Sequence, residues 1–260
     1  MKIEIEKLFS LKGRTCIVTG GSRGIGRGCA DFIAAAGANV AIIGTKKETA
    51  QKAADEIAQV YGIKSMGFEC NVQNREEVFR TVEAVETEIG VVDLLLNNAG
   101  MVEGGDSEDY PEHFWRYTMD VNLNGAFFMM QAVAQRLFAL NKPGAIVNIT
   151  SINTFVVSAP LHESAYNASK AGLLMLSRSL AFEWGDRGIR VNCVSPGCIM
   201  TDMLETVGDP VMLKRWTDMT PRGKLGDVSE LGGAIIYLLS DASSFTTGAE
   251  IRIDGAYTIA

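Results

Sequence analysis

In the stretch SAYNASKAG, residues 164–172, a tyrosine and a lysine stand four positions apart. On a helix, Tyr166 and Lys170 would share one face, one turn above the other. A free phenol has a pKa of ~10 and holds its proton at neutral pH, whereas a neighbouring ammonium stabilises the phenolate and lowers that value. A phenol tuned in this way can pass a proton to or from an alcohol oxygen. The same pair would also suit an ordinary helix with a buried ring and a solvated charge. The surrounding elements have to decide.

Those elements alternate. Short apolar runs read as strands: TCIVT (15–19), NVAIIG (39–44), SMGFEC (65–70), DLLLNN (93–98), AIVNIT (145–150), IRVNCV (189–194) and EIRID (250–254). Segments of helical period lie between them, such as REEVFRTVEAVETEI with Val78, Val82, Val85 and Ile89 on one stripe. This alternation predicts an α/β fold, a single Rossmann-type doubly wound domain over residues 1–260, with a seven-stranded, mostly parallel sheet and helices on both faces. Residues 198–225 break the pattern; they are rich in Met and contain Pro210 and Pro221. They follow the sixth strand, on the side where ligands bind in open α/β sheets. The segment is expected to close over substrate as a lid or to pack as a helical excursion on the surface.

Composition narrows the field. A chain of 260 residues at 47% hydrophobic content can bury a large core, and its net charge of -7 argues against a general nucleic-acid binder. Five cysteines without a C-x-x-C suggest neither a disulfide framework nor a zinc site, and His113 and His162 are the only histidines, so no metal is expected. No apolar run approaches the ~20 residues of a membrane span. The opening MKIEIEKLFSLKGR does not read as a signal peptide, so no membrane partner and a cytoplasmic location are expected.

TGGSRGIG, residues 19–26, directly follows the first strand and runs into a helix. Gly20, Gly24 and Gly26 fit a tight turn with close backbone approach, and N–H groups of the loop, with Ser22, Arg23 and Ile25, can hold a pyrophosphate. TGGSRGIG, NNAG (97–100), YNASK (166–170) and SPGCIMT (195–201) together resemble, in order and spacing, the signature set of the short-chain dehydrogenase/reductase family, from about residue 8 to the end.

The residues after the second strand bear on the cofactor. A carboxylate there would bind the ribose hydroxyls and repel a 2′-phosphate. Here IIGTKKE offers Gly44 and Thr45 and no acid, with Arg23 in the glycine loop nearby and Lys46 and Lys47 following. A cation with a hydroxyl suits a phosphate, so NADP(H) is expected over NAD(H), which stays open. Lys46 and Lys47 would equally suit a solvated helix start.

The resemblance assigns further roles. It implies that Asn71 and Val72 contact the adenine, with Asn71 where the family usually has Asp, and that Asn98, Ala99 and Gly100 turn beside the adenosine. Pro196, Gly197, Ile199 and Thr201 would fix the nicotinamide carboxamide. Tyr166 would be the general acid in reduction and the general base in oxidation, Lys170 would tune it and bind the nicotinamide ribose, and Asn122 would hold a proton-feeding water chain or, alternatively, serve as a core amide. Ser151, just past the fifth strand, would donate to the substrate oxygen. It lies fifteen residues before Tyr166, and the family's common spacing would put the donor at Asn153 instead.

Val102, Glu103, Asn153, His162, Glu163, Cys198, Met203 and Trp216 are candidates to line the substrate pocket. Glu103, Asn153, His162 and Glu163 could bond several hydroxyls or simply face water. The ending IRIDGAYTIA resembles sugar and polyol members of the family, which points to a ketose or polyol as the small-molecule partner. The glycine loop equally resembles 3-oxoacyl-carrier-protein reductases. A dinucleotide-sensing protein without turnover, or a methyltransferase, are the readings from other classes. Family members commonly pair helices corresponding to 112–139 and 164–185, implying a homodimer or homotetramer, although core packing could use the same apolar stripes.

Overall fold

The apolar runs form strands β1 (Thr15–Thr19), β2 (Asn39–Gly44), β3 (Ser65–Glu69), β4 (Leu94–Asn97), β5 (Gly144–Ile149), β6 (Ile189–Pro196), β7 (Ile199–Met200), β8 (Gly226–Asp227) and β9 (Glu250–Ile253). The computed structural model describes residues 4–201 and 209–259. Its helices are α1 (Ile5–Phe9), α2 (Gly24–Ala35), α3 (Lys47–Tyr61), α4 (Arg75–Glu88), α5 (Glu112–Met119), α6 (Ala126–Ala139), α7 (Ser164–Trp184), α8 (Pro210–Met219) and α9 (Ser229–Leu239).

The main sheet has the order β3-β2-β1-β4-β5-β6-β9, and every neighbouring pair is parallel. The sheet is therefore wholly rather than mostly parallel. Its strands alternate between two cores, as a period of two requires. Cys16, Val18, Leu94 and Leu96 join Ile33 of α2, Ile57 of α3 and Ile235 of α9 on one face. Ile17 and Leu95 join Val78 and Val82 of α4, Met129 and Val133 of α6 and Leu173 of α7 on the other. Leu94, Leu95 and Leu96 are fully buried, which contributes roughly 1.5–3 kcal/mol for each side chain. A strand apolar on both faces is stable only under helices on both sides, and this is why β4 reads as an unbroken apolar run.

The chain winds from β1 out to β3, then returns to the other side of β1 as β4. The connections leave β1 and β4 in opposite directions, which opens a crevice at their carboxyl ends. Two hydrogen bonds set the width of this crevice. Thr19 Oγ1 accepts from the backbone N–H groups of Asn98 and Ala99, each at 3.0 Å.

Candidate active site

At one end of the crevice the glycine loop turns from β1 into α2. Gly20 has φ of +63°, a left-handed backbone that favours glycine. Gly26 packs so closely that a Cβ there would collide with the Gly20 carbonyl oxygen and with Asn98 Nδ2. Asn98 Nδ2 donates to the carbonyls of Thr19 at 3.1 Å and Gly20 at 3.2 Å, so this side chain clamps the loop from below. A Cβ on Gly24 would meet only Thr201, at 3.7 Å from its Cγ2. Thr201 therefore stands beside the glycine loop. Pro196 and Gly197 are tied to the last strand, where Gly197 N donates to Ile253 O at 2.9 Å, and Ile199 is buried in β7.

Beyond the loop, Arg23, Thr45 and Lys46 are exposed, and Ser22 Oγ would lie 3.9 Å from a Cβ on Gly44. Lys47 is occupied. Its Nζ donates to Gly67 O and sits 5.0 Å from the Phe68 ring centroid, and its backbone N–H donates to Glu69 Oε2 at 3.1 Å. Both lysines of IIGTKKE are exposed, but the Lys47 ammonium is engaged with β3. Asn71 is partly committed as well, since its Oδ1 accepts from Gln73 N and Nε2, both at 3.1 Å. Val72 beside it is buried against Gly125.

At the other end stands α7, which brings its first turn to the carboxyl end of β5. Buried polar groups hold it in register. Asn97 Nδ2 donates to Asn148 Oδ1 at 2.9 Å, and Asn148 Nδ2 donates to Ser177 Oγ at 2.8 Å. Lys170, 4% exposed, donates from Nζ to Ile149 O at 2.8 Å and lies 5.6 Å from the Tyr166 ring centroid. Asn122 sits fully buried in a π-helical segment over Asp120–Gly125. Its Oδ1 accepts from Met101 N at 2.8 Å, and its Nδ2 donates to Met101 O at 2.9 Å and Ser169 Oγ at 3.0 Å. Ser169 Oγ in turn donates to Tyr166 O at 2.7 Å. The Asn122 side chain thus joins Met101, just past the NNAG turn, to the first turn of α7. A Cβ on Gly100 would lie 3.4 Å from both Asn122 Oδ1 and Lys170 Nζ.

The electrostatics reverse one expectation. Burial pushes the Tyr166 phenol up from its ordinary value; the Ser151 hydroxyl opposes this, and Glu163 and Cys198 add to it. Burial also pushes Lys170 down to about 8. Loss of water disfavours the charged form of each group, and the Lys170 ammonium donates to the Ile149 carbonyl. The phenol therefore keeps its proton at neutral pH, the state required of an acid. Lys170 is charged below about 8 and neutral above it. A phenol that gives up its proton leaves a phenolate, which the charged lysine stabilises. Carbonyl reduction, measured as kcat/KM against pH, is expected to fall as pH rises through about 8, and a flat profile across that range would contradict the assignment.

Ser151 and Asn153 are separated by their surroundings. Ser151, 8% exposed, has its hydroxyl against the Tyr166 phenol. The Asn153 amide is turned into a network, with Nδ2 donating to Glu163 Oε2 at 3.1 Å and Asn167 Oδ1 at 2.9 Å, and Oδ1 accepting from Ser158 Oγ at 2.6 Å. The longer loop absorbs the extra spacing, and the serine keeps its place past the strand. Residues 20–258 match the family model described as enoyl-(acyl carrier protein) reductase. The chain belongs to the short-chain dehydrogenase/reductase family. A sorbose reductase of Candida albicans is 39% identical over 253 residues, covering 96% of this chain and 89% of that protein. An NADP-dependent mannitol dehydrogenase of Hypocrea jecorina is 39% identical over 258 residues, covering 96% and 94%. The solved gluconate 5-dehydrogenase of Burkholderia cenocepacia J2315, in complex with NADP and tartrate, superposes with a TM-score of 0.93 at 31% identity, covering 99% of this chain and 100% of that one.

The remaining pocket candidates of this short-chain dehydrogenase/reductase fall into two groups. Glu163 and Cys198 are half-buried beside Tyr166 and Trp216 is half-buried in α8, whereas Val102, Glu103 and His162 are exposed. His162 Nδ1 pairs with Asp106, and Tyr110 Oη donates to Glu103 O at 3.0 Å. Met203 lies outside the described residues. Tyr257, 7% exposed, has its hydroxyl beside Ser158 and within reach of Cys198 and Met219 Sδ. Tyr257 and Ser158 carry no local sequence signal, because only the fold brings the C-terminal turn to the β5–α7 loop. Among the described residues, no group of three His, Cys, Asp or Glu side chains is placed to hold a metal, and no helix is long and apolar enough to cross a membrane.

Proposed function

We propose that the chain is an NADP(H)-dependent oxidoreductase that moves hydride between nicotinamide and the secondary alcohol or ketone of a polyol or ketose. The observation that carries this reading is the Tyr166 phenol at the carboxyl end of β5, with the Ser151 hydroxyl before it and Lys170 behind it. The dinucleotide, when bound, supplies or accepts the hydride. Tyr166 delivers the proton to the carbonyl oxygen in reduction, and Ser151 donates to the same oxygen as charge develops there. The open glycine loop fits a pyrophosphate. Arg23, Thr45 and Lys46, exposed with no acid after β2, fit a 2′-phosphate. The sorbose and mannitol relatives favour a neutral ketose or polyol over an acyl thioester.

The test is an NADPH-oxidation assay over ketoses, with NADH alongside. NADPH is expected to support turnover at the lower KM. Arg23→Ala is expected to raise the NADPH KM by about 10-fold or more, the worth of a charge-assisted phosphate contact, and to leave the NADH KM nearly unchanged. Equal KM values for the two cofactors in the native protein would defeat the NADP(H) reading. No turnover of any ketose would defeat the substrate class.

The segment around α8 is proposed as a substrate lid over this pocket. The five cysteines are free, which supports a reducing, cytoplasmic setting. Met175 and Phe182 leave an apolar stripe on the outer face of α7, with Phe182 91% exposed, and this supports a homodimer or homotetramer built on that helix.

A further inference from the structure

Relatives of one fold here serve both neutral polyols and a sugar acid, so some feature of the pocket must decide between them. We propose that Glu163 makes that choice: its carboxylate, held by Asn153 beside Tyr166, accepts hydrogen bonds from a neutral polyhydroxy substrate and repels one that carries a carboxylate. This rests on the polyol or ketose reading above.

Four observations support it. Glu163 lies three residues before Tyr166, at the entry to α7, and is half-buried. Its Oε2 accepts from Asn153 Nδ2, and that amide is itself fixed by Asn167 and Ser158, so the carboxylate has a set direction. A carboxylate can accept about four hydrogen bonds, and Asn153 uses one of them. The charge is close enough to act on both the Tyr166 phenol and the Cys198 thiol, which places it within electrostatic reach of the reacting oxygen.

The surroundings carry the same sign. The loop bearing Glu103, Asp106, Glu108 and Asp109 is tethered beside Glu163: Gly105 N donates to His162 O at 2.9 Å, and Ser107 Oγ donates to Ser164 Oγ at 3.2 Å. His162 is already paired with Asp106. Among the described residues no lysine or arginine pairs with Glu163, and residues 202–208, DMLETVG, bring none in sequence. Arg215 on α8 is exposed and acts on Tyr257. A substrate carboxylate would therefore meet the Glu163 charge and the acidic loop on this side of the pocket, with the cations Lys170 and Arg215 on its Tyr166 and Tyr257 sides, whereas hydroxyl groups would meet an acceptor. Burial pushes the Glu163 carboxyl up, and Asn153 opposes this.

The experiment compares D-fructose and 5-keto-D-gluconate, a neutral ketose and a keto acid of equal chain length, as NADPH-dependent substrates of the full chain and of Glu163→Gln. The native protein is expected to prefer the ketose. Glu163→Gln, which keeps the shape and removes the charge, is expected to lower the ratio of kcat/KM for ketose over keto acid by about 10-fold or more, mainly through the keto-acid KM. An unchanged ratio overturns the proposal, including the case in which both substrates lose activity in parallel as a purely structural role would dictate. If neither substrate is turned over by the native protein, the polyol or ketose reading itself has failed, a result distinct from an unchanged ratio. Thermal melting of the variant reports whether it is folded.

Discussion

Tyr166→Phe is expected to cut turnover by about 10³-fold and to leave NADPH affinity within about twofold. The ring stays, so the packing at the start of α7 and the contact with Lys170 are retained. What goes is one hydroxyl, the group facing Ser151. A loss of this size corresponds to about 4 kcal/mol of barrier, the range expected for removal of a placed proton donor. Steady-state turnover and a fluorescence titration with NADPH, run on the same preparation, separate chemistry from binding. A turnover near the native value would show that the proton travels by another route and would remove Tyr166 from the catalytic set. A parallel collapse of binding would show that the hydroxyl holds the pocket together.

Gly26→Val acts at the opposite end of the crevice and should do the reverse. The added side chain would run into the Gly20 carbonyl and the Asn98 amide, neither of which can retreat, because Asn98 is bonded to Thr19 and Gly20. The loop must open or the clamp must break. Such overpacking costs roughly 1–3 kcal/mol, which for a chain of this size lowers Tm by about 3–10 °C. The loss of NADPH binding should be larger still, since the phosphate cradle is the part displaced. Gly233→Ala is the control: nothing lies within 4 Å of a Cβ there, so the exchange should be neutral or mildly stabilising. Native-like NADPH affinity in Gly26→Val would mean that the loop is softer than its contacts imply.

The parts of this structure that the sequence announces share a physical cause. The central strands β1, β4 and β5 are buried on both faces, so TCIVT or DLLLNN can hardly be read otherwise. The glycine loop is legible for a related reason, since the four glycines of TGGSRGIG, where a strand turns into a helix, have few other uses. What escapes the sequence depends on distance and on water. The π-helical segment around Asn122 has no periodic mark of its own. Lys47 looks interchangeable with Lys46 until β3 brings Gly67 and Phe68 beneath it. The direction of the Tyr166 shift depends on desolvation, and no spacing of residues reveals how dry a site is. The Asn153–Glu163 bond spans a loop whose path only the fold determines.

Strands β7 and β8 are two residues each, yet they pair Ile199 with Gly226 and Met200 with Asp227, and Gly226 N also donates to Cys198 O at 2.9 Å. The chain thus departs and rejoins at the neck formed by β7 and β8, and α8 and the turn after it are tied again to the C-terminal turn, where Arg222 N donates to Gly255 O at 3.3 Å and Tyr257 Oη donates to Met219 Sδ at 3.7 Å. Loop-closure entropy rises by only about 0.6 kcal/mol for each doubling of length, so what lies beyond such a neck can be lengthened, shortened or exchanged at little cost to the sheet. A stretch closed in this way can change in length more readily than a strand of the main sheet, provided that Thr201 beside the glycine loop and the tie to Gly255 are kept.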